Sequence, residues 1–292
     1  MSEEEKLSAF MSERPRLFRL AYRYLETASD AEDILQEAWI RFSGASGVDD
    51  PPRFLSTVVT RLSLDRLKSA SKRRETYVGP WLPEPLVGCD DAIDISATDA
   101  ALDLSYAVMQ CLETLSPSER AAFFLHDIYE LPFDEVAETI DVSPAAARKQ
   151  AERARKALAD ARPRFKPEAD DLTRLETAFR IASEQGDDGP LRNLLSEQVE
   201  FISDGGGKAI AARNVVRGLD NVARLFMGLI KGYEKHSVQL QRKAVNGEPG
   251  LIAFHNGELV QTVAFRLDND RRIASFFIMR NPDKLERAAK AL

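Results

Sequence analysis

Apolar positions along this chain follow two periods, helical over most of its length and strand-like near the end. From Leu7 to Leu25, Phe10, Leu17, Leu20, Ala21 and Tyr24 share one helical face, with Pro15 marking a helix start or a kink. Ser29 and Glu32 read as a capping box for a second helix, whose buried stripe is Ala31, Ile34, Leu35, Ala38, Trp39 and Phe42. After a loop from Gly44 to Pro52, Arg53-Phe54-Leu55 opens a third helix through Val58, Val59, Leu62, Leu64 and Leu67. Ser116-Pro117-Ser118-Glu119 is a capping box with proline at the first helical position. Leu131-Pro132 opens a short helix carrying Phe133, Val136, Ala137 and Ile140. Asp141-Val142 then makes a turn, and Ser143, backed by Pro144, caps a helix running to Leu158. This spacing predicts a helix-turn-helix.

Past Pro163 and Pro167 the pattern changes. Leu172, Leu175, Ala178, Phe179 and Ala182 predict an amphipathic helix ending at Gly186, followed by a shorter one from Pro190 to Leu195. Val199 to Ser203 reads as a strand closed by Asp204-Gly205-Gly206-Gly207-Lys208, and Leu219 to Ile230 as a helix. Four strand-like runs follow: Ser237 to Val245, Leu251 to His255, Glu258 to Leu267 and Arg272 to Met279. Asn256-Gly257 is a two-residue hairpin signal. Helices followed by an antiparallel meander predict an α+β domain with a curved sheet.

Composition adds less than the distribution of charge. The chain has 292 residues, 44% of them hydrophobic and 30% charged, with no apolar run of membrane-spanning length and an acidic amino terminus unlike a signal peptide. A cytoplasmic protein without a membrane partner is expected. Cys89 and Cys111 lack partners at metal-ligand spacing, so they are expected to be reduced structural thiols. The net charge of −7 looks wrong for a nucleic-acid binder, but Ser143 to Lys166 carries eight Lys or Arg against two acids, a net of +6. Phe54 to Tyr77 carries a net of +4, which leaves −17 for the remainder. A basic helix face is ordinarily a solvated one, yet a solvated face usually mixes both signs. DNA contact therefore becomes the better reading.

Asp30-Ala31-Glu32-Asp33-Ile34-Leu35-Gln36-Glu37-Ala38-Trp39-Ile40-Arg41-Phe42 and Thr60 to Leu67 resemble region two of the extracytoplasmic-function (ECF) sigma factors. Leu115-Ser116-Pro117-Ser118-Glu119-Arg120 with its helix-turn-helix resembles their region four. The resemblance implies that Asp33, Gln36 and Glu37 bind the β′ clamp helices of the bacterial RNA polymerase core. It implies that region four meets the β flap, and that the basic helix with Arg61, Lys68, Arg73 and Arg74 opens the downstream promoter element. Ser143, Arg148, Lys149 and Arg153 would then read the upstream element. Phe54 stands where many relatives carry tryptophan.

Between the regions, Trp81-Leu82-Pro83-Glu84-Pro85 stiffens a linker that continues into an acidic tract from Asp90 to Asp103. In sigma factors this linker lies in the polymerase's RNA channel. The carboxyl-terminal part is similar in element order to the SnoaL-like domains, cone-shaped folds. WLPEP, DGGGK and Asn281-Pro282-Asp283-Lys284-Leu285 together resemble the SnoaL-extended sigma factors. The expected organisation is region two at 1–77, linker at 78–104, region four at 105–166 and a SnoaL-like regulatory domain at 167–292. Asp204 to Lys208 and Asn281 to Leu285, with Asn281, Pro282 and Asp283 foremost, are expected to meet Trp81 to Pro85, with Lys208 reaching Glu84. Asp204, His236 and His255 are the only acid/base candidates in the last domain, and nothing in the sequence brings them together. No catalytic residue, metal or cofactor is expected, and a ligand of this domain stays unknown. The competing readings are a one-component helix-turn-helix regulator with a ligand-binding domain, and a SnoaL-like enzyme.

Overall fold

The computed structural model describes residues 1–88, 104–161, 165–236 and 238–292; the side chains of 68–75, 160–161 and 233–236 lie outside that description. The expected side-chain roles of Lys68, Arg73 and Arg74, together with Cys89, the acidic tract and His236, thus fall outside the described residues. The described residues form two compact units, one of 1–76, 104 and 108–161, the other of 77–88, 105–107, 165–236 and 238–292.

In the first unit, α1 (Glu3–Leu25), α2 (Ala28–Gly44) and α3 (Pro51–Glu75) close a helical core. Leu17, Leu20 and Tyr24 of α1 bury themselves with Ile34, Leu35 and Phe42 of α2 and with Leu55 and Val59 of α3. Pro15 lies inside α1 and neither starts nor ends it. The missing N–H is outweighed by the tertiary contacts of the residues around it: Phe10 before the proline and all nine residues from Leu17 to Leu25 after it are buried. The expected Ser29 cap is two residues late. Glu26, at φ 64°, ends α1 with its N–H on the Tyr22 carbonyl, so Thr27 is the extended residue from which α2 starts. The Thr27 hydroxyl donates to Asp30 at 2.7 Å. Similarly α3 starts at Pro51, ahead of Arg53, whose N–H donates to the Asp50 carboxylate at 3.1 Å.

α4 (Tyr106–Glu113), α5 (Pro117–Phe123), one π-helical turn (Phe124–Ile128), α6 (Phe133–Ile140) and α7 (Pro144–Ala161) follow. The capping box forms as expected, with Glu119 N–H on Ser116 Oγ at 3.2 Å and Ser116 N–H on the Glu119 carboxylate at 3.0 Å. Ala147 and Ala151 of α7 pack on Leu125, Leu131, Val136 and Ala137, small side chains that let the helices approach closely. Arg120 is buried and donates to the carbonyls of Arg23, Tyr24 and Leu112 at 2.8–3.3 Å, with the buried Glu26 carboxylate at 3.6 Å. Arg53 pairs with Glu135, and Arg16 donates to the Ile128 carbonyl. The two helical sets therefore share one unit.

In the second unit the described strands form one sheet in the order β2-β1-β6-β5-β4-β3. β3 (Gln239–Val245), β4 (Glu248–His255), β5 (Glu258–Leu267) and β6 (Ile273–Met279) are the expected antiparallel meander. Asn246-Gly247 and Asn256-Gly257 turn its first two corners, all four residues at positive φ between 52° and 83°. β1 (Leu195–Asp204) adds in parallel to β6, and β2 (Val216–Arg217) pairs with β1. One sheet face, with Phe201, Phe265 and Phe276, is covered by α8 (Ala169–Gln185), α9 (Gly189–Leu194) and α10 (Leu219–His236). The other, with Ile202, Ile252, Phe277 and Met279, is covered by Leu82 and Val87 of the linker, Tyr106, and Leu285 and Ala288 of α11 (Pro282–Lys290).

Candidate functional site

Asp33, Gln36 and Glu37 stand exposed on α2, because the stripe through Ile34, Leu35 and Ala38 commits the opposite face to the core. Each acid has a cation beside it. Arg66 of α3 bridges Asp30 at 2.8 Å and Asp33 at 2.9 Å, and its guanidinium is held above its ordinary value first by the hydrogen bond to Asp30. Glu37 accepts from Arg41 at 2.6 Å.

Ser143 caps α7 by accepting from Ala146 N–H at 3.2 Å, and Arg148, Lys149 and Arg153 are exposed along that helix. Arg148 lies over the Phe133 ring, 5.5 Å from its centroid. Arg153 is 3.7 Å from Glu119. Arg61, exposed on α3, reaches the Glu138 carbonyl of α6 at 3.4 Å.

The densest polar site is at the end of β1. Asp204 is fully buried, and its carboxylate accepts from the Tyr77 hydroxyl at 2.5 Å, Leu82 N–H at 2.9 Å, Gly206 N–H at 3.0 Å and Lys284 Nζ at 2.8 Å. Lys284 Nζ donates also to the Leu82 carbonyl at 2.6 Å and lies 3.1 Å from the centroid of the Trp81 ring, a cation–π contact away from water. The Tyr77 ring stands edge-on to Trp81 at 4.7 Å. Burial, then the adjacent Asp204 carboxylate, pushes the Tyr77 phenol well above its ordinary value. Asn281 caps α11 through Asp283 N–H and donates from Nδ2 to the Tyr77 oxygen at 2.8 Å. Leu82, Pro83, Glu84 and Pro85 are buried; Tyr106 donates to the Pro83 carbonyl, and Leu86 exchanges hydrogen bonds with Asn246.

The glycines of the Asp204 turn are held closely. A Cβ on Gly206, at φ 59°, would lie 2.3 Å from Asn281 Nδ2, and one on Gly205 2.5 Å from the Ala209 carbonyl oxygen. Gly207 meets Val78 of the linker. One expected contact is corrected. Lys208 pairs with Asp283, at 2.6 and 2.8 Å, where Glu84 was expected, since Asp283 projects from the first turn of α11 beside the exposed lysine while Glu84 is buried.

Comparison with known proteins bears on all these surfaces. Residues 9–73 match the family model for Sigma-70 region 2, and residues 105–158 match that for Sigma-70, region 4. The chain is 40% identical to the ECF RNA polymerase sigma factor SigJ of Mycobacterium tuberculosis, over 96% of its own length and 93% of SigJ. The chain belongs to the ECF RNA polymerase sigma factors. This sigma factor is also 30% identical to the probable ECF sigma factor SigI of the same species, over 98% of the chain and 97% of SigI. The crystal structure of SigJ matches it with a TM-score of 0.75 at 36% identity, covering 96% of this chain and 98% of that one. The likeness therefore includes the SnoaL-like carboxyl-terminal extension.

As a sigma factor it partners core RNA polymerase and promoter DNA and is not an enzyme. Asp204 is consumed by the linker, and His255 lies on β4, with β6 and β5 between that strand and β1. No described helix is long and apolar enough to cross a membrane. Sequence reasoning placed Lys284 in a segment facing the linker without singling it out, and it missed Tyr77 as a contact of the sigma factor. Lys284 was within reach, as the one cation of the NPDKL run, facing a linker with an aromatic residue and no cation of its own.

Proposed function

We propose that this sigma factor directs core polymerase in the cytoplasm to its promoters under the control of its own carboxyl-terminal unit, which acts by gripping the linker at Trp81 to Pro85. The observation that carries the reading is the buried ion pair of Lys284 with Asp204, because both partners also bond to the Leu82 backbone. A linker held in this way is one that polymerase must extract before it can thread it. Asp33, Gln36 and Glu37 would meet the β′ clamp helices, with Arg66 exchanged for a cation of the partner, and region four would meet the β flap. Arg61, Lys68, Arg73 and Arg74 would act on the downstream element, and Ser143, Arg148, Lys149 and Arg153 on the upstream one. Asp204 to Lys208 and Asn281 to Asp283 would set how tightly the linker is held.

Run-off transcription with core polymerase on candidate promoters tests this. Trp81→Ala and Lys284→Met should each raise the transcript yield at limiting polymerase. Wild-type yield from both variants, with the linker demonstrably released, would refute control through this grip.

A further inference from the structure

The second unit encloses a cavity of about 490 Å³ between its helices and the sheet face opposite the linker. That is the size of a small-molecule site. Its wall is apolar, with Phe179 of α8, Leu225 and Leu229 of α10, and Val263, Phe276 and Ile278 of the sheet among the lining residues. A few polar groups converge on one end. Asp204 pairs with Met279, and Met279 with Thr262, so Ser203, Arg280 and Gln261 lie together across three adjacent strands, and all three line the cavity.

Arg280 decides the chemistry. Its guanidinium donates to the Ile210 carbonyl at 2.6 Å, while its Nε is buried with no partner. No carboxylate of the described residues pairs with it. The other charges at the wall are already matched, Glu176 by Arg242 and Arg180 by Glu184. A buried guanidinium N–H without an acceptor is costly, and an incoming carboxylate would relieve it with a charge-assisted hydrogen bond. The apolar side chains of Ile210 and Leu240 line the same cavity yet are 88% and 48% exposed, surface that an apolar guest would cover.

We infer that this cavity binds a small organic acid with an apolar body, its carboxylate on Arg280 and its body against Phe179, Phe226 and Leu229. An alcohol would fill the same space but leave Arg280 unmatched, and an amine would meet it with like charge. The site does not depend on how the linker acts.

Calorimetric titration of the full chain with decanoate, decan-1-ol and decylamine, each below its micelle concentration or, for the alcohol, its solubility limit, tests the assignment. Decanoate should bind saturably and at least tenfold more tightly than decan-1-ol, with decylamine weakest. Arg280→Gln should abolish the preference for the acid while leaving decan-1-ol binding as it was, and Leu229→Trp, which crowds the cavity, should weaken binding of both. Absence of saturable decanoate binding, equal binding of acid and alcohol, or decanoate binding unchanged by Leu229→Trp would overturn the inference. Should Arg280→Gln fail to fold, the three-ligand ranking and Leu229→Trp still decide it.

Discussion

Lys284 and Asp204 form a buried pair in which each partner answers several groups, so removing one leaves the other charge stranded. Lys284→Met should destabilise the seated linker by about 3–5 kcal/mol, a range set by buried pairs broken from one side. In a Trp39→Phe background, Trp81 emission should shift to the red, and protease should cut within residues 77–88. Adding Asp204→Asn to Lys284→Met should cost less than the two changes separately, because the stranded charge is gone. Gly206→Ala offers a purely steric counterpart: positive φ and the 2.3 Å approach to Asn281 both oppose a side chain. It should loosen the same linker without changing any charge, read by the same Trp81 emission.

Among the elements, α5 and α2 make separable predictions. Ser116→Ala removes a cap and should cost about 1 kcal/mol in thermal or denaturant unfolding. The backbone N–H of Ser116, followed by its hydroxyl and Arg153, holds the Glu119 carboxyl below its ordinary value. The stabilisation is therefore complete above the unfolded carboxylate range and fades as pH falls through the lower folded value. The penalty of Ser116→Ala should shrink in acid, which unfolding curves at two pH values would reveal. On α2, Asp33→Arg with Glu37→Arg should abolish core-polymerase binding and leave the helical melt nearly unchanged, since both side chains are exposed. Caps such as Ser116, and the Asn256-Gly257 corner, were legible in the sequence because the groups involved are within a few residues of one another. The start of α2 was not, since Ser29 and Thr27 both make reasonable caps and the αL turn at Glu26 chooses between them. The parallel pairing of β1 with β6 was also hidden, as it joins residues more than seventy positions apart and has no local signature. In the site, the segments carrying the motifs lie side by side while Lys208 pairs with Asp283 and not Glu84, because which side chain of a run faces which neighbour is set by packing.

For the whole molecule, the grip is intramolecular, so its occupancy is a first-order equilibrium that dilution does not change. Transcription per molecule from Lys284→Met relative to wild type should therefore be the same ratio over a wide range of sigma concentration at a fixed, sub-saturating concentration of free polymerase. Truncation before Asn281 is a blunter instrument than the point variant, since it also removes Leu285 and Ala288 from the core.

The linker is also a wall. Leu82 and Val87 cover Ile202, Ile252 and Phe277 on a sheet face whose other cover, among the described residues, includes Tyr106, Val215 and α11. If polymerase draws the linker away as proposed, that face would become a sticky apolar patch. The released form should bind a hydrophobic dye and self-associate when polymerase is scarce, so the active state has a built-in reason to be brief unless something else comes to lie on the sheet.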